Sequence, residues 1–227
     1  MARRSPASTN GAPPTDDPAH VPAPALVARR ASGLHTTVLL AVLAVTFGFV
    51  FWVADQVYAP LSLALGPFAT LGENVLAGAW IVVAPLALHI VRRPLAGIGA
   101  ELLAAAVELV VFGSPFGPAV LLSGLVQGVG AELPFALTRY RRYGWGVFVA
   151  SGVSAAVVTF AYQCVTYGYL GQDLVVVRLA VQVVSCVLLS GVAARLLGDG
   201  LLRAGVLDNH AIGRAARLRA DRARSGR

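Results

Sequence analysis

Acidic side chains lie inside apolar stretches of this 227-residue sequence, where carboxylates are costly. Glu101 and Glu108 occur in one apolar run, Glu132 in the next and Glu73 in a run upstream. An ionisable residue near the centre of a bilayer costs roughly 2.5 to 3.5 kcal/mol on an insertion scale, so it normally faces a bundle interior, a partner or a ligand. These glutamates are therefore the first candidates for function.

Three of these acids belong to a predicted membrane hairpin between residues 92 and 142. Its apolar runs, 94–112 and 116–137, are joined by the turn Gly113-Ser114-Pro115. About 20 apolar residues at 1.5 Å rise cover a hydrocarbon core of roughly 30 Å, so each run is long enough to span a bilayer. Arginine clusters bound both outer ends and predict that these ends are cytoplasmic. The turn then faces outward.

The composition excludes an ordinary soluble domain. The chain is 57% apolar and 13% charged, with a mean hydropathy of +0.72. Its net charge of +7 comes from eighteen basic residues, all arginine, and seventeen of them lie in the tails or at alternate ends of apolar runs. That distribution is typical of membrane topology and argues against a nucleic-acid groove. We therefore expect a multi-pass membrane protein.

Six apolar runs predict an all-α integral membrane protein with six transmembrane helices and both termini cytoplasmic. We place the spans at residues 35–54, 70–91, 94–112, 116–137, 145–166 and 174–195. The loops near Tyr58, Ser114 and Gln172 are then outside. The stretch 59–69 is too broken to span, and we interpret it as an outer loop or a short re-entrant segment.

The two ends of the chain differ from the apolar middle. Residues 1–32 hold six of the thirteen prolines and no apolar run, which predicts a disordered cytoplasmic tail. Residues 33–203 form the predicted six-helix, substrate-binding membrane domain. Residues 204–227 form an arginine-rich cytoplasmic tail, which suits the anionic inner leaflet but is equally compatible with a solvated tail.

The depth of each polar residue along its span predicts an outer and an inner layer. Glu73 and Glu108 both lie roughly 5 Å below the outer interface. With nearby aromatic and amide side chains they form a candidate ligand pocket. The proposed substrate-binding residues are Glu73, Glu108, Trp80, Tyr162, Gln163, Trp52 and Phe116. Arg178 falls in the same layer, where it can extend to the interface or pair with an acid such as Asp55 or Asp173.

The inner acids, Glu101 and Glu132, are assigned to packing, partner contact or conformational coupling. Small residues also recur at helical spacing in both arms of the hairpin, for example Gly97 with Ala100 and Gly124 with Gly128. Such spacing lets helix backbones approach closely. It fits either packing between the two arms or docking of another membrane subunit, and spacing does not choose between them.

Catalytic motifs are absent from the sequence. Ser123 and His89 resemble a serine protease pair only in type, because His89 lies near the cytoplasmic end of its span and Ser123 in the outer half. No HExxH, no Cys or His cluster and no phosphate loop occurs. We therefore expect no enzyme activity, no metal site and no cofactor, with Cys164 and Cys186 as free thiols. ATP-driven transport would need other subunits.

The hairpin resembles the YkoE family, the substrate-binding S components of energy-coupling factor (ECF) vitamin transporters. The resemblance rests on residues 99–144, GAELLAAAVELVVFGSPFGPAVLLSGLVQGVGAELPFALTRYRRYG, with its paired E-L elements, the Gly-Ser-Pro turn and the closing Y-R-R. It implies a high-affinity binder of thiamin or its hydroxymethylpyrimidine (HMP) precursor. The implied partners are a transmembrane coupling protein and two ATPases, within the lipid bilayer of a bacterial plasma membrane and without nucleic acid.

Two other hypotheses remain open from the residues alone. A stand-alone carrier, proton-coupled or facilitative, would use the glutamates as a relay. A purely structural membrane subunit would use them for packing. The short chain and the absence of inverted-repeat symmetry weaken the carrier hypothesis.

Overall fold

The fold is a bundle of α-helices, seen in a computed structural model that describes residues 23–225. The chain divides into residues 1–34 and 35–227, and the second unit contains every contact discussed below. The nine α-helices of the described residues are α1 (Ala23–Ala64), α2 (Gly72–Leu76), α3 (Val83–Val91), α4 (Ala96–Val107), α5 (Ala119–Leu137), α6 (Trp145–Tyr167), α7 (Val175–Ser185), α8 (Ala193–Arg203) and α9 (Ala211–Ser225).

Four helical stretches of the described residues are long and apolar enough to cross a membrane. They are Thr36–Ala64, Ala119–Leu137, Trp145–Tyr167 and Val175–Arg203. The last one joins α7 and α8 through a π-helical segment, Cys186–Val192. The prediction of an all-α membrane protein is thus confirmed. The other two predicted spans are helical but segmented, so the number of crossings is not fixed by these helices.

The predicted second span is broken between α2 and α3. Residues 77–82 form consecutive turns, and Pro85 has no N–H with which to continue a regular helix. Backbone groups freed in a membrane must find other partners. Ser185 accepts a hydrogen bond from the Gly78 amide at 3.0 Å and donates one to the Val75 carbonyl at 2.6 Å. The break is therefore stabilised by side chains from neighbouring helices.

The predicted third span changes from an α-helix to a π-helix at Glu108, the outer of its two acids. Helix α4 passes at Val107 into a π-helical turn, Glu108–Phe112, which ends at Gly113. A π-turn inserts an extra residue into the helix and is often found at functional sites. The outer half of this span therefore presents its side chains in directions that a regular α-helix would not give.

The inner glutamates tie helices together: Glu132 joins the two arms of the hairpin, and Glu101 joins α4 to α3. Glu132 of α5 accepts hydrogen bonds from three amides at the start of α4 and from the Tyr140 hydroxyl. Glu101 is fully buried and accepts one from the Ala84 amide at 3.1 Å. A carboxylate at a helix N-terminus satisfies otherwise unpaired amides. Both residues thus have packing roles.

Small residues of the two hairpin arms pack against each other. A side-chain carbon added at Gly124 would lie 3.0 Å from the Ala105 side chain, and one added at Gly128 would lie 2.9 Å from the Ile98 backbone. At these positions the small-residue pattern serves internal packing of α4 on α5 rather than docking of another subunit.

The ends of the described chain are more helical than the sequence predicted. Helix α1 begins at Ala23, so residues 23–32 of the predicted tail are helical, while residues 1–22 lie outside the described residues. At the other end, Leu207 and Ile212 are buried in the core cluster that contains Val83 and Ile90. The segment from residue 204 onward is therefore anchored to the bundle through these two side chains.

Candidate functional site

A cavity of about 340 Å³ opens where the acids were predicted to gather. Its walls come from α1, the start of α2, the broken segment, the π-turn of α4, α5 and the end of α6. The lining residues are Phe51, Asp55, Glu73, Trp80, Ala105, Glu108, Phe116, Ala119, Val120, Ser123, Gln127 and Tyr167. Three carboxylates and four aromatic rings line this cavity, and no Arg or His is among the described residues that do so. This volume falls in the range of small-molecule sites.

Glu108 is the lining acid that is held least firmly, and it lies next to the Asp55 carboxyl and the Ser114 hydroxyl. Its side chain is about 1% exposed, and neither carboxylate oxygen has a hydrogen-bond partner among the described residues. Burying a carboxylate without a donor or a cation is costly. Glu108 is therefore the lining acid whose hydrogen-bonding capacity the described residues leave unused.

Asp55 lies beside Glu108 and is held from two sides. The Trp80 indole donates to Asp55 Oδ1 at 2.9 Å, and the Ser114 hydroxyl donates to Oδ2 at 3.4 Å. These bonds connect α1 to the broken segment and to the hairpin turn. They also fix the indole ring of Trp80 in the cavity wall, where an aromatic face can contact a flat ligand.

Glu73 is the third lining acid, and both of its oxygens are already bonded. Gln163 Nε2 donates to Oε1 at 2.6 Å, and the Tyr169 hydroxyl donates to Oε2 at 2.5 Å. Burial, followed by this hydrogen bond, raises the pKa of the Tyr169 phenol above its usual value. Tyr169 therefore remains a donor to Glu73 at physiological pH, and Glu73 links the start of α2 to α6.

Arg178 extends this network, and its predicted pairing with Asp55 or Asp173 is wrong. Its Nε donates to Asn74 at 3.2 Å and Nη1 donates to Gln172 at 2.5 Å. The guanidinium also lies 3.6 Å from the centre of the Tyr169 ring, as a cation–π contact. Amide oxygens and an aromatic face thus take the place of a carboxylate around this buried cation.

The predicted site residues separate into three groups. Glu73, Glu108, Trp80 and Phe116 line the cavity. Gln163 lies behind Glu73 and bonds to it. Trp52 and Tyr162 are half-buried and are not among the lining residues, and Trp52 instead stacks on Phe49 with ring centres 5.8 Å apart.

Sequence reasoning missed further lining residues. Asp55 was interpreted only as the end of the first span and a partner for Arg178. Ser123 and Gln127 of α5 are four residues apart and therefore share one helix face. That spacing, read from Ala119 through Ser123 to Gln127, is the signal that could have found them.

A separate polar cluster around His89 is not among the residues that line this cavity. His89 Nε2 and Asp199 Oδ1 are 2.9 Å apart, and Arg195 pairs with the same aspartate at 3.3 Å. His89 is thus committed to α8 rather than to Ser123. Among the described residues, no group of three or more His, Cys, Asp or Glu side chains could hold a metal ion.

An all-helical membrane bundle around an acidic, aromatic cavity is the architecture of a solute-binding transport protein. Residues 35–158 match a family described as the permease component of an ABC-type cobalt transport system. YkoE of Bacillus subtilis (strain 168), which is named as an HMP/thiamine permease protein, is 30% identical over 188 residues, covering 82% of this chain and 92% of YkoE.

A crystal structure of an S component of an ECF transporter superposes with a TM-score of 0.77 at 29% identity, covering 85% of this chain and 97% of that one. The chain belongs to the YkoE family of ECF transporter S components. It is accordingly a multi-pass transport protein of the cell membrane, not an enzyme, as the sequence predicted.

Proposed function

We propose that this chain is the vitamin-binding subunit of an ECF importer and that its cavity takes thiamin or the HMP precursor. The relative in Bacillus subtilis is named for these two compounds. The observation that carries the proposal is the buried, unpartnered Glu108 in the wall of an acidic and aromatic cavity. A ligand that brings donors and positive charge offsets the cost of such a carboxylate.

The chemistry of thiamin fits this wall. Its aminopyrimidine has N–H donors that a carboxylate accepts, and its thiazolium is a cation that carboxylates and aromatic faces attract. In the proposed site Glu108 accepts a hydrogen bond from the ligand or pairs with its positive charge. Asp55 and Glu73, which are held by their own hydrogen bonds, add negative charge to the wall. The rings of Trp80 and Phe116 provide flat apolar contact.

The proposed topology has six crossings with both tails cytoplasmic. It counts the segmented stretches 70–91 and 94–112 as spans, and it is supported by the arginine distribution. Labelling of single cysteines in intact cells tests it: an impermeant reagent should modify Asp173→Cys and leave Arg142→Cys unmodified. Both positions are exposed. The reverse pattern would refute the proposed orientation.

The proposed partners are a transmembrane coupling protein and two cytoplasmic ATPases. This assignment is supported by the similarity to an ECF S component and by the lack of a phosphate loop in this sequence. The alternative is a stand-alone carrier in which Glu101 of α4 and Glu108 of the following π-turn, seven residues apart in sequence, relay protons. The hydrogen bond between Glu101 and the Ala84 amide gives Glu101 a structural use that needs no relay.

The decisive experiment identifies the ligand directly. The full chain is purified in mild detergent, denatured, and its released small molecules are identified by mass spectrometry. Calorimetric titrations with thiamin, HMP, thiamin phosphates and Co²⁺ then rank affinities. We expect thiamin or HMP to bind in the submicromolar range typical of capture proteins, roughly −9 kcal/mol or better. Tight Co²⁺ binding without vitamin binding would overturn the proposal.

A further inference from the structure

The C-terminal helix α9 is fixed to the end of the bundle and is not a free tail. Leu207 and Ile212 are 1% and 2% exposed, and both lie in the core cluster with Ile90 of α3 and Ala194 of α8. Ala215 and Ala216 also face a small cleft next to His89 and Asp199. Because these contacts are all on one side, the opposite side of α9 has a defined outward direction.

The exposed surface of α9 carries positive charge that no ion pair among the described residues neutralises. Arg214, Arg217, Arg222 and Arg224 are exposed, and the ion pairs found among the described residues involve none of them. Arg214 donates to the Asn209 carbonyl at 2.7 Å and Arg217 to the Asp208 carbonyl, contacts that hold the side chains without neutralising them. The one acidic residue of α9 is Asp221.

Exposed apolar side chains accompany these arginines. Leu218 is 60% exposed and lies four residues after Arg214 and four before Arg222, so it shares their face. Val206, in the turn before α9, is 65% exposed. A soluble polyanion would interact with the charges and leave these apolar groups in water. The boundary between lipid headgroups and acyl chains satisfies both.

We propose that the outward face of α9 binds anionic phospholipid headgroups in the leaflet next to this end of the bundle. The chain is a membrane protein, so this leaflet is adjacent. Guanidinium groups match phosphate oxygens with paired hydrogen bonds. Each arginine near an anionic surface contributes roughly fivefold in affinity, so two of them account for roughly 25-fold. This site is separate from the vitamin cavity and does not depend on its ligand.

The test measures lipid binding to the full chain by native mass spectrometry in detergent, with phosphatidylglycerol and phosphatidylcholine as probes. We expect preferential binding of phosphatidylglycerol that weakens as salt is added. The variant Arg217→Gln/Arg224→Gln, whose exposed side chains are seven residues apart and therefore share one face, should bind phosphatidylglycerol roughly 25-fold more weakly. Leu218→Ser should also weaken binding, by several-fold.

The matched control is Arg141→Gln/Arg142→Gln, which removes the same charge from the exposed loop between α5 and α6. It should bind phosphatidylglycerol within about threefold of the unmodified chain. Equal affinity for the two lipids would overturn the proposal, as would an equal loss in the control. Tighter binding of an RNA oligonucleotide than of phosphatidylglycerol would also overturn it.

Discussion

At the scale of single residues, Glu73 and Glu108 line one cavity but are held in opposite ways. Glu73 has a donor on each oxygen, whereas Glu108 has none among the described residues. A bonded carboxylate contributes to the fold, and an unbonded one is available to a ligand. The sequence placed these two acids at the same depth and gave them the same role. The structure indicates that they should respond differently to the same substitution.

Replacing Glu108 by Gln should weaken thiamin binding. The change keeps the size of the side chain and removes its capacity to ionise, so a charge-assisted hydrogen bond to a cationic ligand, worth roughly 1.5 to 3 kcal/mol, is lost. Affinity measured by calorimetry should therefore fall roughly ten- to hundredfold. The melting temperature of the empty protein should stay the same or rise, because an unpartnered buried carboxylate is removed. Asp173→Asn, an exposed acid outside the cavity, should change neither quantity.

Replacing Glu73 by Gln should instead destabilise the protein. The carboxylate accepts from Gln163 and Tyr169, and losing charge-assisted acceptance costs about 1 to 3 kcal/mol. Tyr169→Phe removes one of the same bonds from the other side, so the double variant should lose less than the sum of the two single losses. Chemical denaturation in detergent measures these differences. Strict additivity, or a larger loss of affinity than in Glu108→Gln, would contradict this division of roles.

The sequence located the acids of this site by depth but could not give their direction around each helix. Depth placed Trp52 and Tyr162 in the outer layer, yet neither lines the cavity, because depth is independent of which face a side chain occupies. The partners of Glu73 and Arg178 depend on the turn at 168–174, whose path no periodicity predicts. Asp55 was not predicted as a site residue, because an acid that follows an apolar run is already explained as the end of a membrane span.

At the scale of elements, the break between α2 and α3 brings two segments into close contact. A side-chain carbon at Gly78 would overlap the Ser185 carbonyl oxygen and lie 2.8 Å from Leu189 Cβ. Gly78 therefore acts as the contact point between the broken span and the π-helical segment. Trp80 follows two residues later, so the position of this contact also sets the position of the cavity wall.

Gly78→Ala should therefore lower both stability and ligand affinity. Overpacking of this kind typically costs 1 to 3 kcal/mol, and any shift of the segment moves Trp80 away from Asp55. Gly99→Ala in α4 is the matched control, because an added carbon there meets nothing within 4 Å. It should stabilise by roughly 0.5 to 1 kcal/mol, since Ala is the better helix former. Thermal melts and vitamin titrations of both variants in detergent measure these effects. A Gly78→Ala variant that is more stable than Gly99→Ala would contradict the prediction.

The helical runs themselves could be predicted, whereas their interruptions could not. Apolar length placed α5 and α6 within a few residues of where the structure has them, whereas α1 continues to Ala64, ten residues beyond the predicted end and through the loop that was predicted near Tyr58. The π-turn at Glu108 and the turns at 77–82 arise from tertiary contacts, such as those of Ser185 and Glu101, that a linear pattern does not contain. The helical start at Ala23 lies in a Pro-containing stretch whose composition is typical of disorder.

At the scale of the whole molecule, a binding subunit and a stand-alone carrier differ in what they do alone. The chain reconstituted into sealed vesicles should bind labelled thiamin to saturation and should not concentrate it, even with a proton gradient. Addition of a coupling protein and its ATPases with ATP should start accumulation. Concentrative uptake by this chain alone, abolished by an uncoupler, would favour the proton-coupled carrier.

The hydrogen bond between Trp80 and Asp55 gives the cavity a built-in optical reporter. Of the three tryptophans of the chain, Trp80 alone is among the lining residues, while Trp52 stacks on Phe49 and Trp145 lies near Arg195. Indole emission responds to nearby charge and to loss of a hydrogen bond. A chain carrying Trp52→Phe and Trp145→Phe would therefore emit from the binding site itself, so occupancy could be followed in real time without an added dye.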